Sequence, residues 1–393
     1  MGIIDKHPRI DSRLVFEDTF DYFNEDNWNI EKNIAGGGNN EFQYYNDDER
    51  NIWANNGLLN IKVHLLCFFP RYMLTNYSYP FYCFFHAEDV MTGNCEPFPE
   101  CATFKVDDCN DPRFDGCEKI GGSPAGSILN PITSARVNTK DKFSFQYGRV
   151  EVSARLPAGD WLWPAIWLLP EDDGPYGEWP GSGEIDIIES RGNGVGYTIG
   201  GVPMGRNQAA STLHFGRVDE EGKLLQFPVD GWPHVHNGPY SCTYTAAGEP
   251  DFTQAFRTFG LYWDEDAMYT YVIHPNGTEE MLLDLRHGWE QGQCSPAGGL
   301  VGSGFPHACR PNAPADRPFY LILNLAVGGN QGATSRRCPG ATQLTSPRPP
   351  PHRSPRCPLP QANFWNAKET WYPSWLAAGD SSTFQIDSVR VWQ

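Results

Sequence analysis

Hydrophobic positions recur at every second residue in short bursts along the chain. Phe143, Phe145 and Tyr147 alternate in KFSFQYG, Val150, Val152 and Ala154 in RVEVSA, and Phe384 and Ile386 in FQIDSVRVW. Residues two apart on a strand share a face, so these bursts predict antiparallel strands with one buried and one wet side. No long stretch combines a helical period with caps at both ends. No internal repeat of about 20 to 50 residues is present, and no run of about 18 apolar residues is long enough to cross a membrane as a helix. The pattern predicts an all-β protein.

Two stretches break the pattern. HLLCFFPRYMLTNYSYPFYCFFH, residues 64–86, is apolar but interrupted by Pro70, Arg71, Asn76 and Pro80, which predicts an irregular insertion. The Pro- and Arg-rich stretch ending at Gln361 has almost no apolar residues and reads as a disordered loop. A single domain over residues 1–393, with insertions at 64–86 and 330–361, accounts for the length, because large β-sandwiches pass 200 residues as one unit.

Composition sharpens the class. Forty Gly and 33 Pro with 13 Trp, 17 Tyr and 23 Phe describe a turn-rich, aromatic-rich β protein. A net charge of −18 opposes binding to nucleic acid or anionic membrane, since both would be repelled. A neutral ligand with C–H faces for aromatic rings fits better, and sugars supply both. Of the 11 Cys, Cys67, Cys83, Cys95, Cys101, Cys109 and Cys117 crowd into one region, as in proteins of oxidising compartments, and Cys109 with Cys117 is the expected pair. The first residues, MGIIDKHPRIDSRLVFED, lack a signal peptide's apolar core, yet the cysteines favour a secreted, extracellular protein. His234 and His236 can share a strand face, but no third ligand accompanies them, so zinc is not expected.

The chemistry concentrates in GEIDIIES, residues 183–190. Glu184 and Asp186 share a strand face, and regular alternation would put Glu189 on the other. One extra residue at Ile187-Ile188, a β-bulge, returns Glu189 to the face of Glu184. Ile185, Ile187 and Ile188 then mark the opposite face as core. Three carboxylates this close cannot all ionise cheaply, so at least one pKa rises. Such a split pair suits glycoside hydrolysis with retention, in which carboxyl groups about 5 to 5.5 Å apart act as nucleophile and acid. The spacing across the bulge predicts roughly that separation, about two strand steps of about 3.3 Å each shortened by pleat and twist.

E-I-D-x-x-E after a W-P-A-x-W strand resembles the signature of glycoside hydrolase family 16, in the bulged form of endo-1,3-β-glucanases (laminarinases). GGGNNEFQYY, PITSARVNT, GDWLWPAIWLLP, STLHFG, PFYLILNLAVGG and FWNAKETWYPSW extend the resemblance to the animal branch, which includes β-1,3-glucan-binding proteins. The resemblance implies a β-jelly-roll sandwich of two curved antiparallel sheets with an open concave cleft. It implies Glu184 as nucleophile, Glu189 as general acid/base and Asp186 as the residue assisting the nucleophile. It places Trp163 and Trp167 in the cleft as sugar platforms. Asn39 and Arg136 would bond sugar hydroxyls, His214 would face the nucleophile, and Trp375 would border the cleft. Some members carry a structural calcium, which would fall at Glu17 and Asp387, and no cofactor is required for the reaction. The implied function is retaining cleavage of internal β-1,3 linkages in β-glucan by a monomer. The alternatives are a non-catalytic β-1,3-glucan recognition protein and a hydrolase of the same fold acting on a mixed-linkage glucan or another β-linked polysaccharide.

Overall fold

A computed structural model describes residues 13–65, 103–120, 129–172, 174–199, 202–218, 224–227, 237–238, 241–245, 250–285, 314–329, 364 and 367–393. Residues 66–86 of the first expected insertion, all of 330–361, and both His234 and His236 lie outside the described residues. The remaining two residues of that first segment, His64–Leu65, are a short strand paired with Ile132 and Thr133, so regular pairing continues past the expected boundary.

The alternation in RVEVSA becomes the strand Gly148–Arg155, with Val150, Val152 and Ala154 buried and every intervening residue partly exposed. It lies within an antiparallel sheet of order 279–284, 268–273, 257–263, 148–155, 384–392, 58–61, 52–55, and Leu14–Asp18 also pairs with Phe384–Trp392. A second antiparallel sheet runs 237–238, 241–245, 208–218, 184–190, 162–170, 319–327, 136–138, 29–30. One apolar core joins the two. Val150, Val152, Phe259, Leu261 and Trp263 come from the first sheet, and Leu162, Ile166, Leu168, Ile185, Ile187 and Leu323 from the second. Removing each such side chain from water contributes about 1.5 to 3 kcal/mol, which sets the strand faces. This two-sheet antiparallel sandwich is the expected all-β architecture.

Among the described residues one α-helix stands out, Lys368–Ala378 in FWNAKETWYPSW. Trp371 and Trp375, four apart, both turn to the core, and Phe364 stacks on Trp371 with ring centroids 4.7 Å apart. Gly379, at φ 55, closes the helix in a conformation that costs glycine nothing sterically. Trp375 therefore does not border a cleft: it is 6% exposed and donates its Nε1–H to the Asp160 carbonyl at 2.8 Å.

The C-terminal strand carries its own bulge. Ser153 faces Ser388 and Ala154 faces Ile386, so Asp387 falls between the pairs and alternation restarts at Val389 and Val391. Opposite Glu17 stands Arg390, not Asp387, and the Arg390 guanidinium takes the Glu17 carboxylate at 2.7 Å. Glu17 already has a cation of its own, and these residues do not fit the expected calcium.

Candidate active site

The carboxylate strand, Glu184–Ser190, lies between Leu162–Pro170 and Gln208–Val218. Trp167 faces Asp186 and Ile166 faces Ile188, which leaves Ile187 without a partner on that side. On the other side Thr212 faces Asp186 and Ala210 faces Glu189, with Ser211 alone against Ile187 and Ile188. This is the bulge read from the spacing. It sends Ile185, Ile187 and Ile188 into the core and returns Glu189 to the face of Glu184 and Asp186.

The separation differs from the expectation. His214 faces Glu184 and Ala210 faces Glu189, so the glutamates stand four residues apart along the neighbouring strand, not two. That is about 13 Å of backbone at about 3.3 Å per residue.

Each carboxylate has a different setting. Glu184 accepts a hydrogen bond from Trp179 Nε1–H at 2.7 Å and lies 3.9 Å from His214 Nε2. Trp179 reaches it because the chain turns back through Gly181 and Gly183. A Cβ at Gly181 would stand 2.3 Å from the Tyr176 carbonyl oxygen, and Gly183 holds φ +91. Asp186 is nearly sealed from solvent, and its Oδ2 lies 3.0 Å from His214 Nε2 as an ion pair, although the atoms are not aligned as a hydrogen bond. Glu189 accepts from Trp163 Nε1–H at 2.8 Å.

Burial raises Glu189 above the usual carboxylate range, and the Glu184 charge adds to this, while His214, the Trp163 bond and Arg191 oppose it. Burial, with the charges of Glu184 and Glu189, holds Asp186 well above its ordinary value. His214 moves to about 9: burial alone would lower it, but Asp186, Glu184 and Glu189 prevail. Burial and mutual repulsion thus favour the protonated forms of Asp186 and Glu189, while the surrounding carboxylates favour the imidazolium of His214. Among the described residues Glu184, Asp186 and His214 also form a group whose ligand atoms lie within 4.8 Å of one another, close enough for a cation. The protonated His214 already supplies that positive charge.

Trp163 and Trp167 lie on the same face as the carboxylates, each partly exposed. Trp167 Nε1–H donates to Asn324 Oδ1 at 2.7 Å, and Asn324 Nδ2 donates to the Tyr45 hydroxyl at 3.1 Å. Arg136, expected to reach sugar hydroxyls, is buried. Its guanidinium sits 4.6 Å from the Trp167 ring centroid, and its Nε lies 2.8 Å from Glu31 Oε1, close as an ion pair without hydrogen-bond alignment. Arg136 thus packs against the Trp167 ring on the face that carries the carboxylates. Asn39 is exposed at the mouth, and its side chain bonds the buried Glu41.

Trp179, Asn324, Tyr45 and Glu31 are the site residues that sequence reasoning did not single out. Trp179 had a signal, five residues before Glu184 in a Pro-Gly turn. The other three lie far away in the chain.

No protein-family model matches the sequence. A β-1,3-glucan-binding protein of Penaeus monodon is 34% identical over 385 residues, covering 97% of this chain and 90% of that protein. Glucan endo-1,3-beta-glucosidase A1 of Niallia circulans is 28% identical over 327 residues, covering 81% of this chain and 34% of that larger protein. The laminarinase structure from Rhodothermus marinus superposes with a TM-score of 0.52 at 21% identity, covering 98% of both chains, and so shares the jelly-roll fold. The bulged carboxylate strand, the sandwich that carries it and these relatives agree: the chain belongs to the family of β-1,3-glucan-binding proteins and glucan endo-1,3-β-glucosidases that have the glycoside hydrolase family 16 fold.

Proposed function

We propose that this protein is a retaining endo-1,3-β-glucanase. The observation that carries the reading is the bulge, which brings Glu184, Asp186 and Glu189 onto one face in unequal settings. Glu184, held by Trp179 and close to cationic His214, attacks the anomeric carbon, and the C–O bond to the departing glucose breaks. Glu189, whose burial favours the protonated form, gives a proton to the leaving oxygen. The resulting glycosyl ester is opened by water that Glu189 deprotonates, which regenerates both groups. Asp186 and His214 are positioning residues that keep charge balanced beneath the reacting sugar. The Cys109–Cys117 disulfide supports a secreted protein.

Purified protein incubated with laminarin is expected to release reducing ends, with oligomers of mixed length appearing early. Binding without turnover would instead favour a glucan-recognition protein, the reading that the name of the Penaeus monodon relative favours.

The acid limb and alkaline limb of kcat/KM carry a further expectation. Glu189 must be protonated to act, so activity falls as pH rises through its pKa. His214 and the Trp163 hydrogen bond both lower that pKa. His214→Gln and Trp163→Phe should therefore each move the alkaline limb to higher pH. A limb that stays in place in both variants would mean another group controls it.

A further inference from the structure

A disulfide-closed loop stands beside the cleft, joining the paired strands Thr103–Lys105 and Glu118–Ile120. Cys109 and Cys117 close it with Cα atoms 5.4 Å apart. It docks on the edge of the site-bearing sheet. Asn110 Nδ2 donates to the Ile30 carbonyl at 2.8 Å, Lys32 N–H donates to Asn110 Oδ1 at 2.8 Å, and Ile34 N–H donates to the Gly116 carbonyl at 2.8 Å. Within the loop Arg113 grips Asp111 with two parallel hydrogen bonds of 2.9 Å.

At its tip is Phe114, 64% exposed, with φ 54 and ψ 40, followed by Asp115 at φ 56. A lone exposed apolar residue is ordinary. An aromatic residue in the left-handed region is not, because its Cβ crowds the backbone at a cost of about 1 to 2 kcal/mol. Such a conformation persists where surrounding contacts over-determine it, and the disulfide, the Asp111–Arg113 pair and the Asn110 bonds do so here.

The ring's position follows from its neighbours. Phe114 Cζ is 3.6 Å from where a Cβ on Gly38 would sit. The next residue, Asn39, presents its carbonyl oxygen 3.4 Å from the corresponding point on Gly329, and the Trp163 ring lies 3.0 Å from that same point. Trp163 in turn holds Glu189. Contacts thus run from the acid through Trp163, Gly329, Asn39 and Gly38 to Phe114 along one rim.

We infer that Phe114 is a stacking platform for a glucose unit of a β-glucan chain away from the cleavage point, preset by its disulfide-closed loop. The inference rests on the glucan reading of the site. A neutral sugar face suits an apolar ring on a chain of net charge −18, where an anionic polymer would be repelled. Because the loop is fixed beforehand, little ordering entropy opposes the contact.

The test is calorimetric binding of laminarin and of β-1,3-linked oligosaccharides of increasing length, with Glu189→Gln in every protein so that the ligand survives. Phe114→Gly removes the ring while glycine accepts the positive φ, so the loop keeps its shape. It should lose about 2- to 10-fold in affinity for long chains, with the loss growing as the oligomer lengthens. Phe114→Trp should retain the affinity. Equal affinity of Phe114→Gly and its parent for laminarin, or a loss identical at every length, overturns the inference and leaves the glucan reading in place. A parent that binds none of these glucans brings down both.

Discussion

Glu189→Gln slows hydrolysis of laminarin by about 10²- to 10⁴-fold, the usual contribution of a positioned general acid. Glu184→Gln slows it at least as far, because without a carboxylate at that position no glycosyl ester forms. The amides keep the shape of the side chains, so the strand retains its core face of Ile185, Ile187 and Ile188. The stereochemistry separates the two roles. In Glu184→Gly, added azide occupies the vacated side and displaces the leaving group once, which gives the inverted glycosyl azide. In Glu189→Gly, a substrate whose leaving group needs no proton still forms the ester with Glu184, and azide then attacks from the opposite side to give the retained product. Chromatography and NMR of the products distinguish the two anomers. The same anomer from both variants, or a Glu184→Gln protein as fast as its parent, would sink the assignment.

The bulge on which that assignment rests was legible because it depends on local geometry. The step from two to three between Asp186 and Glu189, with isoleucines in between, has one economical solution on a strand, and both neighbouring strands show the register shift. Cys109 and Cys117 were similarly readable, eight residues apart around a tight loop. What sequence reasoning missed depends on pairing across long distances. Asn324 and Glu31 meet Trp167 and Arg136 because Phe319–Val327 and Asn29–Ile30 join the same sheet, and Tyr45 reaches Asn324 from a separate three-stranded sheet. Asp387 was misplaced because a second bulge, with no run of acids to advertise it, rotated Arg390 toward Glu17. Trp375 was placed at the cleft by resemblance alone, whereas the helix Lys368–Ala378 turns it, with Trp371 four residues before, to the core. The backbone spacing of the two glutamates was underestimated as well: across the bulge they stand four residues apart along Gln208–Val218.

Arg136→Met destabilises the fold by about 3 to 5 kcal/mol, because it leaves a buried acid without its cation. Side-chain exposure is 10% for Arg136 and 11% for Glu31, so neither charge can recover its hydration in place. Burial opposes the charge on Arg136, yet Glu31, with Tyr45, Tyr320 and Glu41, raises its pKa all the same, so it remains a cation. After the substitution Glu31 keeps only the amides of Asn138, at 2.9 Å, and Asn33, at 3.3 Å. Chemical denaturation of both proteins measures the loss, and a difference under about 1 kcal/mol would show that the pair is as weak as a solvated one. Adding Glu31→Gln to Arg136→Met removes the stranded charge and should restore much of the stability. It does not restore the guanidinium against the Trp167 ring, so the double variant should fold well yet still bind β-glucan more weakly than the parent. Stability and glucan affinity then part company in one protein, which a purely structural role for Arg136 does not allow.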